Sequence, residues 1–328
     1  MIRFFRSSFA AQYLVVVLLA FLLWLPAFLQ QLSPLQIDNG RQPLYDLIVS
    51  NLNDFPYVAL TVALLLLLFQ AFFFNAILAA NNFIQRVGSS GAFVYVLLFS
   101  YTAEYTNTHA FLYAAVFILA TLHTLFLIVE TDRPHFYLFN TGFFVATAAL
   151  FYPPTALLIL WIFISMIIGL QVSIRNFLTV ILGFLTPIYF LVSWYFLTDQ
   201  LATNFAFYKG EWIQWLPDFH QISIFQWAIG INIMLLVLFA LRPVFGTKIE
   251  KNLRLRKKIS MVNALLVFSL PMLFFQAGSV INNTALLLPV AIYLSFDFAY
   301  AQRLRWRSLL LGLLVLLIVV NQYSKLFF

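Results

Sequence analysis

The sequence has no cysteine and few charged residues. Of its 328 residues, 9% are charged and 63% are hydrophobic, and the mean hydropathy is +0.96. The absence of cysteine excludes disulfides, thiolate metal sites and cysteine nucleophiles. Soluble domains are about a quarter charged and about half apolar, so this composition falls outside their range. The sequence therefore predicts a protein whose main solvent is a lipid bilayer rather than water.

The sequence also lacks the motifs of common cofactor sites. It contains no Walker loop, dinucleotide-binding fingerprint, HExxH helix or nucleophile elbow. His109 and His123 are about 21 Å apart along one predicted helix, but no other helix carries a matching pair that would complete haem ligation. We therefore expect structural roles for both histidines, and no motif predicts a metal site.

Long apolar runs take up most of the chain instead. A membrane-spanning helix needs about 20 apolar residues, and the short connections leave no room for a large soluble domain. We predict an all-α, polytopic membrane protein with a single transmembrane domain over residues 1–328. The eleven predicted spans are residues 10–30, 57–80, 92–106, 109–129, 140–153, 155–173, 177–198, 224–241, 261–277, 284–300 and 308–323.

The basic residues indicate how the spans are oriented. With the N-terminus in the cytoplasm, 15 of the 18 Lys and Arg residues fall in inner segments, and the exceptions are Arg41, Lys209 and Lys325. The positive-inside rule requires such an asymmetry. We therefore predict a cytoplasmic N-terminus and a C-terminus outside. The first apolar run begins like a signal peptide, but it is long and has no clear cleavage site, so we predict that it is retained.

The first outer loop, residues 31–56, is long enough to hold structure. From Pro43 its apolar positions recur at helical spacing, which predicts an amphipathic helix lying on the membrane surface. Asp46 falls in the first turn, where a carboxylate suits the helix dipole. Asp54 precedes the second span and is predicted to cap it. Asp38 stands in an Asp-Asn-Gly turn signature, which leaves a turn-forming and a functional role equally open.

Acidic residues concentrate on the predicted outer side, and because acids contribute little to orientation, a site on that face would explain the skew. The second outer connection holds Glu104, which a solvated loop also explains. The fourth, residues 199–221, combines Lys209, Asp218 and His220 with several aromatic residues. An interfacial aromatic belt accounts for this composition. The alternative is a surface that stacks rings and pairs with phosphate, with Lys209 as the point charge.

The remaining polar residues have structural explanations. Gln70 and Asn75 are predicted to form hydrogen bonds between helices. Asp297 lies about one turn from the inner end of its span, where it can reach nearby arginines. Basic clusters at residues 248–258 and 303–307 fit orientation and attraction to anionic lipid. We predict membrane lipids as partners and no nucleic acid.

Residues 140–194 contain three apolar runs separated by a Pro-Pro turn and a single basic residue. The notable positions are Gly142, Pro153, Pro154, Arg175, Gly183 and Pro187. This stretch resembles the central portion of integral-membrane C-type glycosyltransferases, and the layout of residues 1–200 is similar to theirs as well. The paired acidic motif and the large outer domain of many members have no counterpart here, and residues 201–328 read as C-terminal helices. The sequence is also similar to uncharacterised multi-span inner-membrane proteins of Bacteroidota.

The resemblance implies transfer of a sugar from a polyprenyl-phosphate carrier to an acceptor at the outer face of a bacterial inner membrane. Such a reaction needs a base for the acceptor hydroxyl and positive charge for the departing phosphate. By position, Asp38 would be the base, and Glu104 would support it or share a divalent cation with it. Arg41 or Lys209 would hold the phosphate. The predicted site residues are Asp38 and Glu104 for catalysis and Arg41, Lys209, Asp218 and His220 for substrate binding.

Two other functions remain open. A non-catalytic protein with the same fold would serve as a membrane scaffold or assembly partner. A transporter or flippase of lipid-linked intermediates would need polar residues along a path through the membrane midplane. The scattered candidates there are Gln70, Asn75 and Ser165. Convergence of Asp38, Glu104 and Lys209 on one outer cavity that opens to lipid would favour the enzyme, whereas a flat rim would favour the scaffold.

Overall fold

The computed structural model describes residues 4–5, 11–30, 42–85, 88–102, 106–131, 134–202, 223–244, 252–274, 284–300 and 305–327. Within these ranges the protein is helical and contains no strand. The helices are α1 (Ala11–Leu29), α2 (Pro43–Leu52), α3 (Pro56–Ala80), α4 (Ser90–Leu98), α5 (Ala110–Ile128), α6 (His135–Phe151), α7 (Leu158–Gly169), α8 (Ile174–Leu197), α9 (Ile224–Val244), α10 (Leu253–Ser269), α11 (Leu287–Tyr300) and α12 (Arg305–Phe327). Short 3-10 helices cover Pro153–Leu157, Pro271–Phe274 and Thr284–Leu286.

Six of the described helices are long and apolar enough to cross a membrane. They are α1, α3, α5, α8, the apolar part of α9 and most of α12. Only 17% of an 18-residue apolar stretch of α8 is buried inside the protein. Apolar side chains left facing outward over a whole helix require a hydrocarbon solvent. The structure thus confirms the predicted all-helical class and shows six candidate membrane-spanning helices among the described residues.

Each predicted span contains a helix, but some lengths differ from the prediction. The third predicted span, residues 92–106, holds only α4, whose nine residues extend about 14 Å. The ninth predicted span began at residue 261, whereas α10 begins at Leu253, inside a segment predicted as a basic loop. Apolar runs locate helices well because burial in lipid selects them. They locate helix ends poorly, because side-chain contacts decide where the backbone leaves helical geometry.

Prolines mark several helix boundaries. Pro43 and Pro56 occupy the first turns of α2 and α3, where the missing N–H needs no partner. The prediction that Asp54 caps α3 was wrong, because Phe55 is the N-cap and no side chain caps the helix. Between α6 and α7, Tyr152 is extended with φ −136° and ψ 94°, as expected for a residue that precedes proline.

The short helix α4 lies at the centre of the packing. All nine of its residues are buried, and it packs against α1, α3 and α11. On one side of this core, α3 packs on α5, α5 packs on α6, and α6 packs on α8. On the other side, α11 and α12 pack on α9. The helix α7 packs mainly on α10, and the Trp161 indole Nε1 donates to the Met261 carbonyl oxygen at 2.8 Å.

Glycines bring the backbones of α6 and α8 into direct contact. A Cβ added to Gly142 would lie 2.2 Å from the Val180 carbonyl oxygen, and one added to Gly183 would lie 2.1 Å from the Phe139 carbonyl oxygen. These obstacles are backbone atoms, which cannot rotate away. Small residues let helix backbones come this close within a bilayer. The two glycines therefore fix how α8, which is otherwise largely exposed, docks on the bundle.

Replacing either glycine by alanine should separate α6 from α8. We expect Gly142→Ala and Gly183→Ala each to cost about 1–3 kcal/mol through overpacking and to lower the melting temperature of the detergent-solubilised protein. Gly230→Ala and Gly312→Ala are matched controls, because nothing lies within 4 Å of a Cβ at those positions. The controls should match or exceed the wild type, since alanine is the better helix former. Equal melting temperatures for all four variants would contradict this packing.

Candidate functional site at the α2 end

Contacts between helices define two ends of the bundle. At the α2 end, the Tyr45 hydroxyl donates to the Thr108 carbonyl oxygen at 3.0 Å, and the Thr108 hydroxyl donates to the Ala59 carbonyl oxygen at 3.2 Å. At the Lys258 end, the Lys258 ammonium contacts Asn81 and Glu130. All six predicted site residues belong to segments predicted on the outer side, and α2 lies in the first of these segments.

The helix α2 is amphipathic, as the sequence predicts. Tyr45 and Val49 are buried against the bundle, whereas Leu47 on the opposite face is 59% exposed. Asp46 lies in the first turn, also as predicted, where the partial positive charge of the helix start favours its carboxylate. One face of α2 thus anchors it to the bundle. The other face presents an exposed leucine, as expected for an interfacial helix.

Two tyrosines and one carboxylate come together beside α2. The rings of Tyr45 and Tyr113 have centroids 6.0 Å apart. Burial raises the pKa of the Tyr45 phenol, and the neighbouring Tyr113 and Asp46 raise it further. The Asp46 carboxylate therefore lies beside a phenol that stays protonated.

His109 adds a neutral imidazole to this end of the bundle. Its Nδ1 lies 2.9 Å from the Asn107 carbonyl oxygen, and because a carbonyl only accepts, Nδ1 carries the proton. Burial lowers the pKa of His109 to about 4, and the hydrogen bond with Asn107 offsets only part of that effect. At neutral pH the ring is therefore uncharged, with one tautomer selected by the backbone. This agrees with the structural role predicted for His109.

The predicted site residues all lie outside the described residues. They are Asp38, Arg41, Glu104, Lys209, Asp218 and His220. What the structure does describe is the chain that flanks them. Gln42 and Tyr45 follow the first segment, Thr106 and Thr108 follow the second, and the end of α8 at Tyr195 precedes the third. The first two flanks lie together at the α2 end, because the Tyr45 hydroxyl donates to the Thr108 carbonyl oxygen.

The Lys258 end holds a buried cation that the sequence reasoning missed. Lys258 is 3% exposed, and its Nζ lies 2.7 Å from Asn81 Oδ1 and 2.5 Å from Glu130 Oε1. Asn81 caps the C-terminus of α3, and Glu130 follows that of α5, so the ammonium also meets two helix dipoles at their negative ends. This residue joins α10 to α3 and α5 instead of facing lipid.

A helical pattern could have identified Lys258. The prediction assigned residues 248–258 as a whole to a lipid-facing basic cluster. Lys258 instead shares one face of α10 with buried apolar residues at helical spacing, namely Met261, Val262 and Leu265. Lys258 lies one helical turn before these apolar residues, on the same face. The pattern therefore places Lys258 in the core, where a buried lysine requires an acidic partner.

Two predictions for intramembrane polar residues are confirmed. Gln70 of α3 donates to the Leu112 carbonyl oxygen at 2.6 Å and accepts from the Tyr95 hydroxyl at 2.8 Å. Asn75 bonds the backbone at the start of α4. Asp297 reaches an arginine as expected, with its Oδ2 3.0 Å from Arg307 Nε, although it is fully buried. These groups hold helices together.

Asn232 of α9 is a further buried polar residue that was not anticipated. It is 3% exposed, and in the described part of the chain neither its Oδ1 nor its Nδ2 has a hydrogen-bond partner. Ser165 of α7 is likewise buried without a partner there. Among the described residues, no group of three or more His, Asp or Glu side chains could hold a metal ion.

Comparison with known proteins gives one match. A family model described as a family of unknown function (DUF6427) matches residues 44–327, which is most of the chain. No curated protein and no solved structure matches.

The buried imidazole makes stability depend on pH. Because the pKa of His109 is about 4 in the folded protein and 6.5 in an unfolded chain, the unfolded state binds more protons between these values. Stability should therefore fall as the pH drops through 6.5 and stop falling on this account below about 4, by at most about 3 kcal/mol. His109→Gln should show a weaker loss of melting temperature between pH 7 and 5. Identical pH profiles would contradict the assignment.

Two asparagines in spanning helices should respond oppositely to leucine. Asn232→Leu removes an amide that has no described partner, so we expect a higher melting temperature, by the equivalent of about 1 kcal/mol. Asn75→Leu leaves the Gly88 carbonyl and the amides of Gly91 and Ala92 without their hydrogen-bond partner. This variant should therefore have a lower melting temperature. Thermal unfolding in one detergent compares them directly. A destabilised Asn232→Leu variant would show that the amide is satisfied in the membrane.

Proposed function

The chain belongs to the DUF6427 family of unknown function, and we propose that it is a bacterial inner-membrane protein that transfers a sugar from polyprenyl phosphate. The proposal concerns the α2 end, on the outer side of the membrane. The observation that carries it is the contact there between the chain that follows the first segment with predicted site residues and the chain that follows the second, Tyr45 with Thr108. A reaction on a lipid-linked substrate requires such a site at the membrane boundary.

The proposed orientation rests on charge. In this arrangement eleven helices cross or enter the bilayer, the N-terminus is cytoplasmic and the C-terminus lies outside. Described basic side chains begin α8, α10 and α12, and these helix starts lie away from the α2 end. They are Arg175, Arg254, Arg256, Lys257, Lys258, Arg305 and Arg307. The positive-inside rule favours the Lys258 end as the cytoplasmic one. The interfacial helix α2 then lies on the outer leaflet.

The chemistry needs few groups. The acceptor oxygen forms a bond to the anomeric carbon as the bond from that carbon to the phosphate oxygen breaks, and polyprenyl phosphate leaves with the electron pair. We assign the acceptor proton to the Asp38 carboxylate, with Glu104 supporting it or sharing a divalent cation with it. Arg41 and Lys209 would neutralise the phosphate. Asp218 and His220 would contact the sugar. These are proposed roles for residues outside the described ranges.

The described residues suit the surroundings of such a reaction. Tyr45, Tyr113 and neutral His109 carry no charge at neutral pH, so Asp46 is the charged side chain of this cluster. Tyrosines at a membrane boundary combine an apolar ring with a polar tip. They would contact both the isoprenoid chain and the sugar. Asp46 would then repel a phosphate from the start of α2. The phosphate would therefore bind at Arg41 and Lys209.

A second candidate function is a scaffold without catalysis. The observation that favours it is that Gln70, Asn75, Lys258 and Asp297 are all engaged in contacts between helices. A protein selected for rigidity alone would use its buried polar residues in this way. The same observation weighs against the transporter, which would need some of these groups to face a passage.

Transfer by the purified protein tests the proposal. In nanodiscs, the wild type is given undecaprenyl phosphate linked to radiolabelled glucose, with mixed short glycans as acceptors, and release of undecaprenyl phosphate is measured. Loss of a general base typically costs about 10²–10⁴ in rate, so Asp38→Asn should lower turnover at least about 100-fold. Asp199→Asn is the matched control, because Asp199 is exposed on the same side and has no proposed role.

The outcomes separate the candidates. Equal turnover in the wild type and Asp38→Asn would remove Asp38 from the mechanism. Wild-type protein that binds undecaprenyl phosphate but releases none from several linked sugars would favour the scaffold. Photo-crosslinking with a diazirine-bearing polyprenyl phosphate locates the binding. Crosslinks at α2 and the end of α8 agree with the proposal, and crosslinks confined to the Lys258 end contradict it.

A further inference from the structure

The short helix α4 begins and ends inside the bundle, so its backbone needs partners from other helices. At its start, Asn75 Nδ2 donates to the Gly88 carbonyl oxygen at 3.0 Å, and Asn75 Oδ1 accepts from the amides of Gly91 and Ala92 at 3.1 and 3.2 Å. Gln12 Oε1 accepts from the Ser89 hydroxyl at 2.9 Å. The start of α4 is thus satisfied by side chains of α1 and α3.

Side chains of α1 and α12 surround the opposite end of α4. The Trp24 indole Nε1 donates to the Ser100 hydroxyl at 3.0 Å, and Gln322 Nε2 donates to the Ser100 carbonyl oxygen at 2.7 Å. Asn321 Nδ2 donates to the Tyr101 carbonyl oxygen at 3.1 Å. The Ser100 carbonyl oxygen keeps a second lone pair, because a carbonyl can accept twice.

Two further oxygen atoms at this end lack a partner in the described part of the chain. They are Gln322 Oε1 and Thr102 Oγ1, and both residues are 0% exposed. An unpartnered polar atom in a buried position costs about 1–3 kcal/mol, and in hydrocarbon no bulk water reduces that cost. Thr102 is two residues from Ser100, and Gln322 bonds the Ser100 carbonyl oxygen, so a small ligand beside Ser100 would supply the missing partner of both atoms.

The site is deep and rich in oxygen. Trp24 and Gln322 each stand five residues before the end of their helices, so the site lies about 7–8 Å below the ends of α1 and α12. The site follows the C-terminus of α4, where the helix dipole gives partial negative charge. An anion would therefore be repelled. A divalent ion needs carboxylate ligands, which Ser100, Tyr101, Thr102 and Gln322 do not supply.

We propose that the C-terminal end of α4 binds a monovalent cation, Na⁺, through Gln322 Oε1, Thr102 Oγ1 and the carbonyl oxygen of Ser100. Unwound backbone and half-helix C-termini hold Na⁺ in this manner inside membrane proteins. The ion replaces the missing partners of two buried oxygens and ties α12 to the residues that follow α4. It stabilises the α2 end of the bundle, and it requires no sugar-transfer activity.

Thermal unfolding at constant ionic strength tests the site. The purified protein in nanodiscs is unfolded in 200 mM choline chloride, with choline replaced stepwise by Na⁺. A ligand that binds only the folded state raises the melting temperature as its concentration passes the dissociation constant. We expect a saturable rise of a few degrees with Na⁺. A melting temperature that is the same in choline and Na⁺ would overturn the proposal.

A matched pair of variants locates the effect. Thr102→Val replaces only the hydroxyl and should abolish most of the Na⁺-dependent rise. Thr147→Val is the control, because the Thr147 hydroxyl donates within its own helix to the Phe143 carbonyl oxygen, and it should keep the full rise. A Thr102→Val variant that retains the wild-type Na⁺ response would overturn the assignment.

The direction in which Thr102→Val shifts the melting temperature in choline distinguishes a bound water molecule from an empty site. If Thr102→Val lowers the melting temperature equally in choline and Na⁺, a water molecule occupies the site and the cation proposal fails. If it raises the melting temperature equally in both, the site is empty and the proposal also fails. Because the readout is stability, either result leaves the sugar-transfer proposal to be judged by its own assay.

Discussion

The hydrocarbon core of a membrane offers no water to unpaired backbone groups, and this constraint decides the structure of the centre of the bundle. A helix that spans the bilayer satisfies its own backbone, but α4 has only nine residues and leaves groups open at both ends. Asn75 and Gln12 pair with its start, and Trp24 and Gln322 pair with the chain beyond its end. The long helices α1, α3 and α12 therefore supply the partners that the two ends of α4 need.

This use of polar residues bears on function. Gln70, Asn75, Lys258 and Asp297 would each be suspected of a role in transport if their positions alone were known. Each instead bonds or pairs with another helix. What is left for chemistry is the boundary of the bundle, where α2 supplies a carboxylate beside protonated phenols. The candidate site at the α2 end thus follows partly from the engagement of polar groups elsewhere.

Sequence reasoning predicted what repeats along the chain and missed what depends on contact between distant residues. The positions of the apolar helices, the start of α2 at Pro43 and the interhelical role of Gln70 follow from apolar runs, proline and polar residues in lipid. The length of α4 could not be predicted, because it depends on side chains up to 222 residues away. Lys258 was misassigned since its partner Glu130 is 128 residues distant. The predicted site residues themselves lie outside the described ranges.

Packing alone explains the glycines on which the resemblance to C-type glycosyltransferases rests. Gly142 and Gly183 lie where α6 and α8 touch backbone to backbone, and any pair of helices that close requires glycine. Tyr152 and the prolines after it likewise have a local role in ending α6. Residues that packing demands would occur in a scaffold as well as in an enzyme. The functional argument therefore rests on the α2 end, where Asp46 and Tyr45 serve no such close approach.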